Sequence, residues 1–274
     1  LYNVQSLYVN IKVILKTFLT PYRSYRTAIL GGIFIMILGL IGPVNAQNFN
    51  PQNKELLNDI AFIASVDKFE NHKNWNQLIR KLERKSNSDA EYFLEYIFYK
   101  THQKLLKEYR KGTTFNNLLE SGDYDCVSAS ITYSILLKYF DIEHSIIETD
   151  YHVFIIASIS DQEYILETTD PRSGWLSNAN EIKEFKEDFL PDNSATLLNQ
   201  NLSIGALGYG EPNSKTIYKE ISLRQLSALQ FFNQGLIAIH EQDYILASRR
   251  LQQALNLYDS ERISAVFDIV APQD

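Results

Sequence analysis

The feature that most constrains the fold is a change of hydrophobic period between residues 126 and 169. CVSASITYSILLKYF places Val127, Ile131, Ile135 and Leu136 on one face at helical spacing. Directly after it, HSIIET, YHVFIIASIS and EYILETT are runs rich in β-branched and aromatic residues, bounded by Asp, Gln or Asn. Asp161-Gln162 is the expected tight turn between the last two. A helix that leads into an antiparallel sheet predicts an α+β domain.

The flanking sequence is helical on both sides. From Asn53 to about Arg110, LLNDIAFIASV and AEYFLEYIFYKTHQKLLKEY repeat apolar residues at three- and four-residue steps, which fits two or three helices. Between Asp170 and about Tyr218, Pro171, Gly174, Gly205, Gly208, Gly210 and Pro212 mark loop-rich chain with one helix around NANEIKEFKEDF. Past Ser222, LRQLSALQFFNQGLIAIHEQ and DYILASRRLQQALNLYD predict a C-terminal helical hairpin turning near Asp243. Phe231, Gly235, Ala247, Leu251 and Ala254 resemble the spacing of one tetratricopeptide repeat, in which small residues let two helices approach closely. Asp259 stands where that repeat usually ends in proline. A single repeat cannot bury itself, so the hairpin must pack on the main domain or on a protein partner.

Composition divides the chain near residue 46. The first 46 residues hold no Asp or Glu, and only Lys12, Lys16, Arg23 and Arg26 as charges. An uncharged run over residues 27–44, with basic residues ahead of it and Ala46 behind it, reads as a signal peptide cleaved after Ala46. The alternative is an uncleaved membrane anchor through residues 27–44. The expected localisation is exported, periplasmic or secreted, and contact with a membrane is expected only if that segment is retained. The expected domains are therefore 1–46 as signal or anchor, 47–218 as the α+β domain and 219–274 as the helical hairpin. Without the N-terminal segment, 22 Lys and Arg face 33 Asp and Glu, a net charge near −11. That charge repels polyanions and argues against nucleic acid as a partner.

An exported protein usually pairs its cysteines in disulfides, yet Cys126 is the sole cysteine of the chain. Its position at the predicted start of a helix, where unpaired N–H groups and the helix dipole favour negative charge, is one that stabilises a thiolate. His152 lies near the start of the second strand and Glu167 at the end of the third, so a hairpin would make them neighbours. Cysteine nucleophiles need a base, and the base needs an acceptor that fixes its tautomer. Cys126, His152 and Glu167 supply that set, with Asp170 as the alternative acid. Each has a plainer reading, as a buried small hydrophobe, a strand histidine or a turn cap. Neither a metal nor a cofactor is expected, because no second cysteine and no histidine pair at ligand spacing is present.

GDYDC ahead of a helix, then YHVFI, then EYILETT, is similar to the core of the transglutaminase-like superfamily, over roughly Phe115 to Thr169. The resemblance implies a papain-like cysteine helix packed on an antiparallel sheet, with Cys126 as nucleophile, His152 as base and Glu167 in the position usually held by Asp. Tyr164 stands near an aromatic position of that pattern. What it implies for function is a cysteine enzyme acting on amide bonds of a peptide or protein substrate, of protease, amidase or transglutaminase type. A papain-like cell-wall peptidase is a second enzymatic alternative, although 26 residues from Cys126 to His152 is short for it. The alternative from another class is an inactive module that keeps the fold and docks a partner at the hairpin. Cys126 N–H is the expected first oxyanion donor.

Overall fold

Two helices open the part of the chain that the computed structural model describes, residues 72–190 and 217–271. The expected signal or anchor segment and the helix expected over LLNDIAFIASV lie outside the described residues. Helix α1 (Lys73–Glu83) buries Trp75, Leu78 and Leu82, the three- and four-residue spacing of one face. Helix α2 (Ala90–Lys104) is capped by Asp89, which accepts the Tyr92 N–H at 3.1 Å, and buries Phe93, Leu94, Ile97 and Phe98. It stops at Lys104 rather than near Arg110, because residues 108–109 form strand β1 (Glu108–Tyr109) instead. A short helix α3 (Phe115–Glu120) follows, then β2 (Asp123–Tyr124), which pairs with β1 in parallel.

Helix α4 (Cys126–Tyr139) is the centre of the molecule. Twelve of its fourteen residues are buried, so the single apolar face seen in the sequence becomes a helix enclosed all round. Its small hydroxyl residues make this possible, because each finds a hydrogen-bond partner. Ser130 Oγ meets Thr168 Oγ1 at 3.2 Å, Thr132 donates to the Ser128 carbonyl at 3.0 Å, and Ser134 Oγ meets His144 Nε2 at 2.8 Å. Unpaired, each such group would cost on the order of 1–3 kcal/mol.

The sheet that α4 packs on is built from β3 (His144–Thr149), β4 (Val153–Ile159), β5 (Gln162–Leu166), β6 (Trp175–Leu176) and β7 (Tyr218–Ile221), in spatial order β6-β5-β4-β3-β7. Every pairing in it is antiparallel, so the described chain is α+β. Ser160 and Asp161 make the β4–β5 turn, with φ of 49° and 66°. Two successive left-handed residues suit the twist of a two-residue hairpin. Alternation along the strands sends Ile146, Val153, Ile155, Ala157, Tyr164 and Leu166 into the core with α4. The other face gathers Ile147, Phe154, Ile156 and Ile165 with Ile182, and Phe185 packs against them. The last two belong to α5 (Ala179–Glu187), the helix expected within the loop-rich stretch.

The C-terminal helices are α6 (Leu223–His240), α7 (Tyr244–Leu255) and α8 (Glu261–Val270). Gly235 is where α6 and α7 touch: a Cβ built there would lie 2.8 Å from Leu251. Leu226, Leu229, Phe232 and Leu236 of α6 share one core with α4 and the sheet, so the hairpin packs on its own domain. The sequence boundary placed between 218 and 219 runs through β7, which pairs with β3 in the register Thr149 to Tyr218 and Ile146 to Ile221. The described residues, 72–190 and 217–271, fall within one compact unit. Among the described residues no helix is long and apolar enough to cross a membrane.

Candidate functional site

Asp125 sets where α4 begins. Its carboxylate accepts the Ser128 N–H at 2.8 Å while Ser128 Oγ accepts the Asp125 N–H at 2.9 Å, a capping box that leaves Cys126 as the first helical residue. Burial raises the Asp125 carboxyl to about 6, against the pull of N–H groups from Ser128, Gly112 and Val127. Cys126 is 3% exposed. Here the sequence expectation of a thiolate is corrected. Burial, followed by the negative charges of Asp125 and Glu167, pushes the Cys126 thiol well above its ordinary value, and the Val153 and Val127 N–H groups only partly oppose this. Desolvation of a wholly enclosed sulfur outweighs the helix terminus, so the resting group is a thiol.

The Val153 N–H that reaches this sulfur belongs to the first residue of β4, directly after His152. His152 ends the turn between β3 and β4. Its carbonyl accepts the Thr149 N–H at 2.9 Å and its N–H donates to Thr149 Oγ1 at 3.0 Å, which closes the turn on itself. The ring lies between aromatic faces, stacked on Phe189 with centroids 5.8 Å apart and on Phe154 at 6.5 Å. Its Nε2 is hydrogen-bonded to Glu167 Oε2.

Glu167 follows the last residue of β5, and its other oxygen accepts the Thr169 N–H at 2.9 Å and the Thr169 hydroxyl. Burial alone would raise its carboxyl. The His152 hydrogen bond and charge, with the two bonds from Thr169, overcome that and hold it below the usual carboxylate value. The longer side chain of Glu thus reaches the imidazole. Asp170 does something else: it accepts the Arg172 N–H at 2.9 Å and the Ser173 N–H at 3.0 Å, and so caps the turn that runs to Gly174. That turn is tight, with the Glu167 N–H donating to the Gly174 carbonyl at 2.8 Å. A Cβ on Gly174 would sit 2.2 Å from the Glu167 carbonyl oxygen. Tyr164, the aromatic noted in the sequence, is buried and stacks on Trp175 at 5.3 Å.

Two residues that sequence reasoning missed share this corner. The parallel pairing of β1 with β2 sets Tyr109 opposite Tyr124, two residues before Cys126. Tyr109 stays 44% exposed, but the partial burial of its phenol, then the neighbouring Cys126, Asp125 and Glu167 groups, hold it above its ordinary value. His102, on α2, is 7% exposed among Phe98, Tyr133 and Tyr124, and neither ring nitrogen has a hydrogen-bond partner. Burial lowers its pKa to about 4, although Asp170 and Glu167 pull the other way. No sequence signal marks either one, because β1 is too short to show a period and His102 continues an ordinary helical pattern. Among the described residues no three His, Cys, Asp or Glu are grouped to hold a metal ion. The chain matches no family model, no curated protein and no solved structure.

Proposed function

We propose that the chain is a cysteine-dependent acyl-transfer enzyme acting on amide bonds of a peptide or protein, with a transglutaminase-like core. The observation that carries this reading is the Glu167 carboxylate on His152 Nε2, with Cys126 at the start of α4 beside the amide that follows His152. Binding Nε2 to Glu167 leaves Nδ1 as the nitrogen for proton transfer. Because the resting sulfur is a thiol, Nδ1 acts as a general base: it takes the thiol proton as Sγ bonds to the carbonyl carbon. Glu167 holds the imidazolium that results. The Cys126 N–H and the Tyr109 hydroxyl receive the negative oxygen. Nδ1–H then gives its proton to the leaving amine, and water or a second amine attacks the thioester. Export to the periplasm or beyond is part of the same proposal, with peptides of the cell envelope as one source of substrate.

A second reading has a specific observation behind it. The near-complete enclosure of Cys126 also suits a module that binds without turnover, with exposed Tyr244 and Ile245 on the helical hairpin as the partner surface. An activated ester, p-nitrophenyl acetate, separates the two because it needs no knowledge of the substrate. The full chain is expected to form an acetyl thioester on Cys126, seen by intact mass. His152→Ala should slow that step by on the order of 10²–10⁴-fold, the range of general-base catalysis. Equal acetylation rates in the two proteins would discard the enzyme and favour the binding module.

A further inference from the structure

We propose that Arg262, on the last described helix, is a positioning residue for His152, which it serves by tying the β3–β4 turn to the C-terminal helices. The inference rests on the general-base reading of His152. Glu148, at the end of β3, is fully buried. Its carboxylate is hydrogen-bonded to Arg262 Nη2 and accepts the Tyr258 hydroxyl at 2.6 Å, with Lys219 Nζ at 3.8 Å. Arg262 Nη1 reaches further and donates to the Asp150 carbonyl at 3.1 Å. Asp150 lies inside the Thr149–His152 turn, and its carboxylate accepts the Ile217 N–H at 2.9 Å, just ahead of β7.

One planar guanidinium therefore spans a strand end and the turn that follows it, a bridge that the single ammonium of lysine cannot reproduce. Phe232 of α6 backs the guanidinium, 5.2 Å from its ring centroid. The turn is short and closed by Thr149 on one side, so a carbonyl held at Asp150 fixes the direction in which His152 leaves it. Glu148 faces Val153 across the hairpin, which puts the anchor level with the amide that meets the Cys126 sulfur. The C-terminal helices are then part of the catalytic apparatus, and their loss would loosen a histidine more than 100 residues earlier in the chain.

The test uses the full chain with two variants. Arg262→Lys keeps a cation for Glu148 and lacks the second arm. Glu148→Gln combined with Arg262→Met removes the ion pair without stranding a buried charge. Two quantities are read: the rate of Cys126 acetylation by p-nitrophenyl acetate across pH, and the downfield Nε2–H proton resonance of His152 in histidine-labelled protein. Both variants should lose on the order of tenfold to a hundredfold in rate, as displaced catalytic groups do. They should also shift the acidic limb of the profile and broaden the Nε2–H resonance, while thermal melts report folded protein. If the folded variants keep the wild-type limb and resonance, the positioning role is wrong. If wild type itself shows no His152-dependent acetylation, the general-base reading fails; the resonance still tells whether Arg262 holds the ring, and an unchanged signal overturns that too. Should one variant not fold, the other gives the same two readings.

Discussion

Two buried carboxylates on one sheet make different use of the same physics. Glu167 and Glu148 are both withdrawn from water, and each is met there by a cation or by hydrogen-bond donors. Glu167 faces a histidine, whose imidazole has one nitrogen bonded to the carboxylate and a second that can accept a proton. Glu148 faces an arginine, which cannot release its proton in water, and a tyrosine hydroxyl reinforces the pair. The first arrangement can move a proton; the second can only hold geometry. A buried acid is therefore not by itself a sign of catalysis, and the titratability of its partner is what separates a site from a strut.

The comparison can be broken most decisively at Arg262. Replacing it with Met leaves Glu148 enclosed without its guanidinium partner, and should lower unfolding free energy by about 3–5 kcal/mol in urea titrations. Adding Glu148→Gln should recover most of that loss. A single variant as stable as wild type would mean that Glu148 already finds another partner.

His102 supplies the contrasting case of a buried histidine with no carboxylate bonded to it. Its folded pKa of about 4 lies below the ordinary 6.5, so the fold favours the neutral ring. That contribution is complete above pH 6.5 and is lost as pH falls from 6.5 to 4, about 3 kcal/mol in all. Asp125, raised to about 6, has the opposite sign: its contribution is present below 3.8 and lost as pH rises through 6. The two partly cancel in wild type. His102→Phe, followed by urea unfolding at pH 7 and pH 4.5, should therefore lose less stability on acidification than wild type does. Parallel losses would show that His102 is solvated.

At Glu167 the expected effect is kinetic. Glu167→Gln keeps the shape and removes the charge that holds imidazolium, so acetylation of Cys126 should fall by on the order of 10²-fold with a melting temperature near that of wild type. The reverse pattern, lost stability with an intact rate, would make Glu167 a strut like Glu148. Smaller again is Tyr258→Phe, which removes one donor to Glu148. It should cost about 1.5–3 kcal/mol of unfolding free energy and leave the thioester rate unchanged while Arg262 remains.

Much of this was legible in the residue order. The period of α4 and the β-branched runs of β3, β4 and β5 predict the central helix and the three middle strands, while the hairpin turns at Ser160–Asp161, one residue before the expected Asp161-Gln162, because Gln162 already pairs with Ile159. The places of His152 and Glu167 on two successive strands also predict that they are neighbours, and the two are hydrogen-bonded. Strands β1, β2 and β6 were not legible, because two residues carry no alternation, and β7 hides beside the loop-rich stretch.

What the sequence determined by itself is the local material: where helical and strand periods change, and that a lone thiol stands at the start of a helix. Tertiary structure alone decided that Glu167 rather than Asp170 meets His152, since the tight turn at Gly174 commits Asp170 to capping N–H groups. It alone decided that Cys126 rests as a thiol, since burial is a property of everything packed around a residue. And it alone joined Arg262 to Glu148 across 114 residues, a contact for which no local pattern exists because its energy arises only once both groups have left water together.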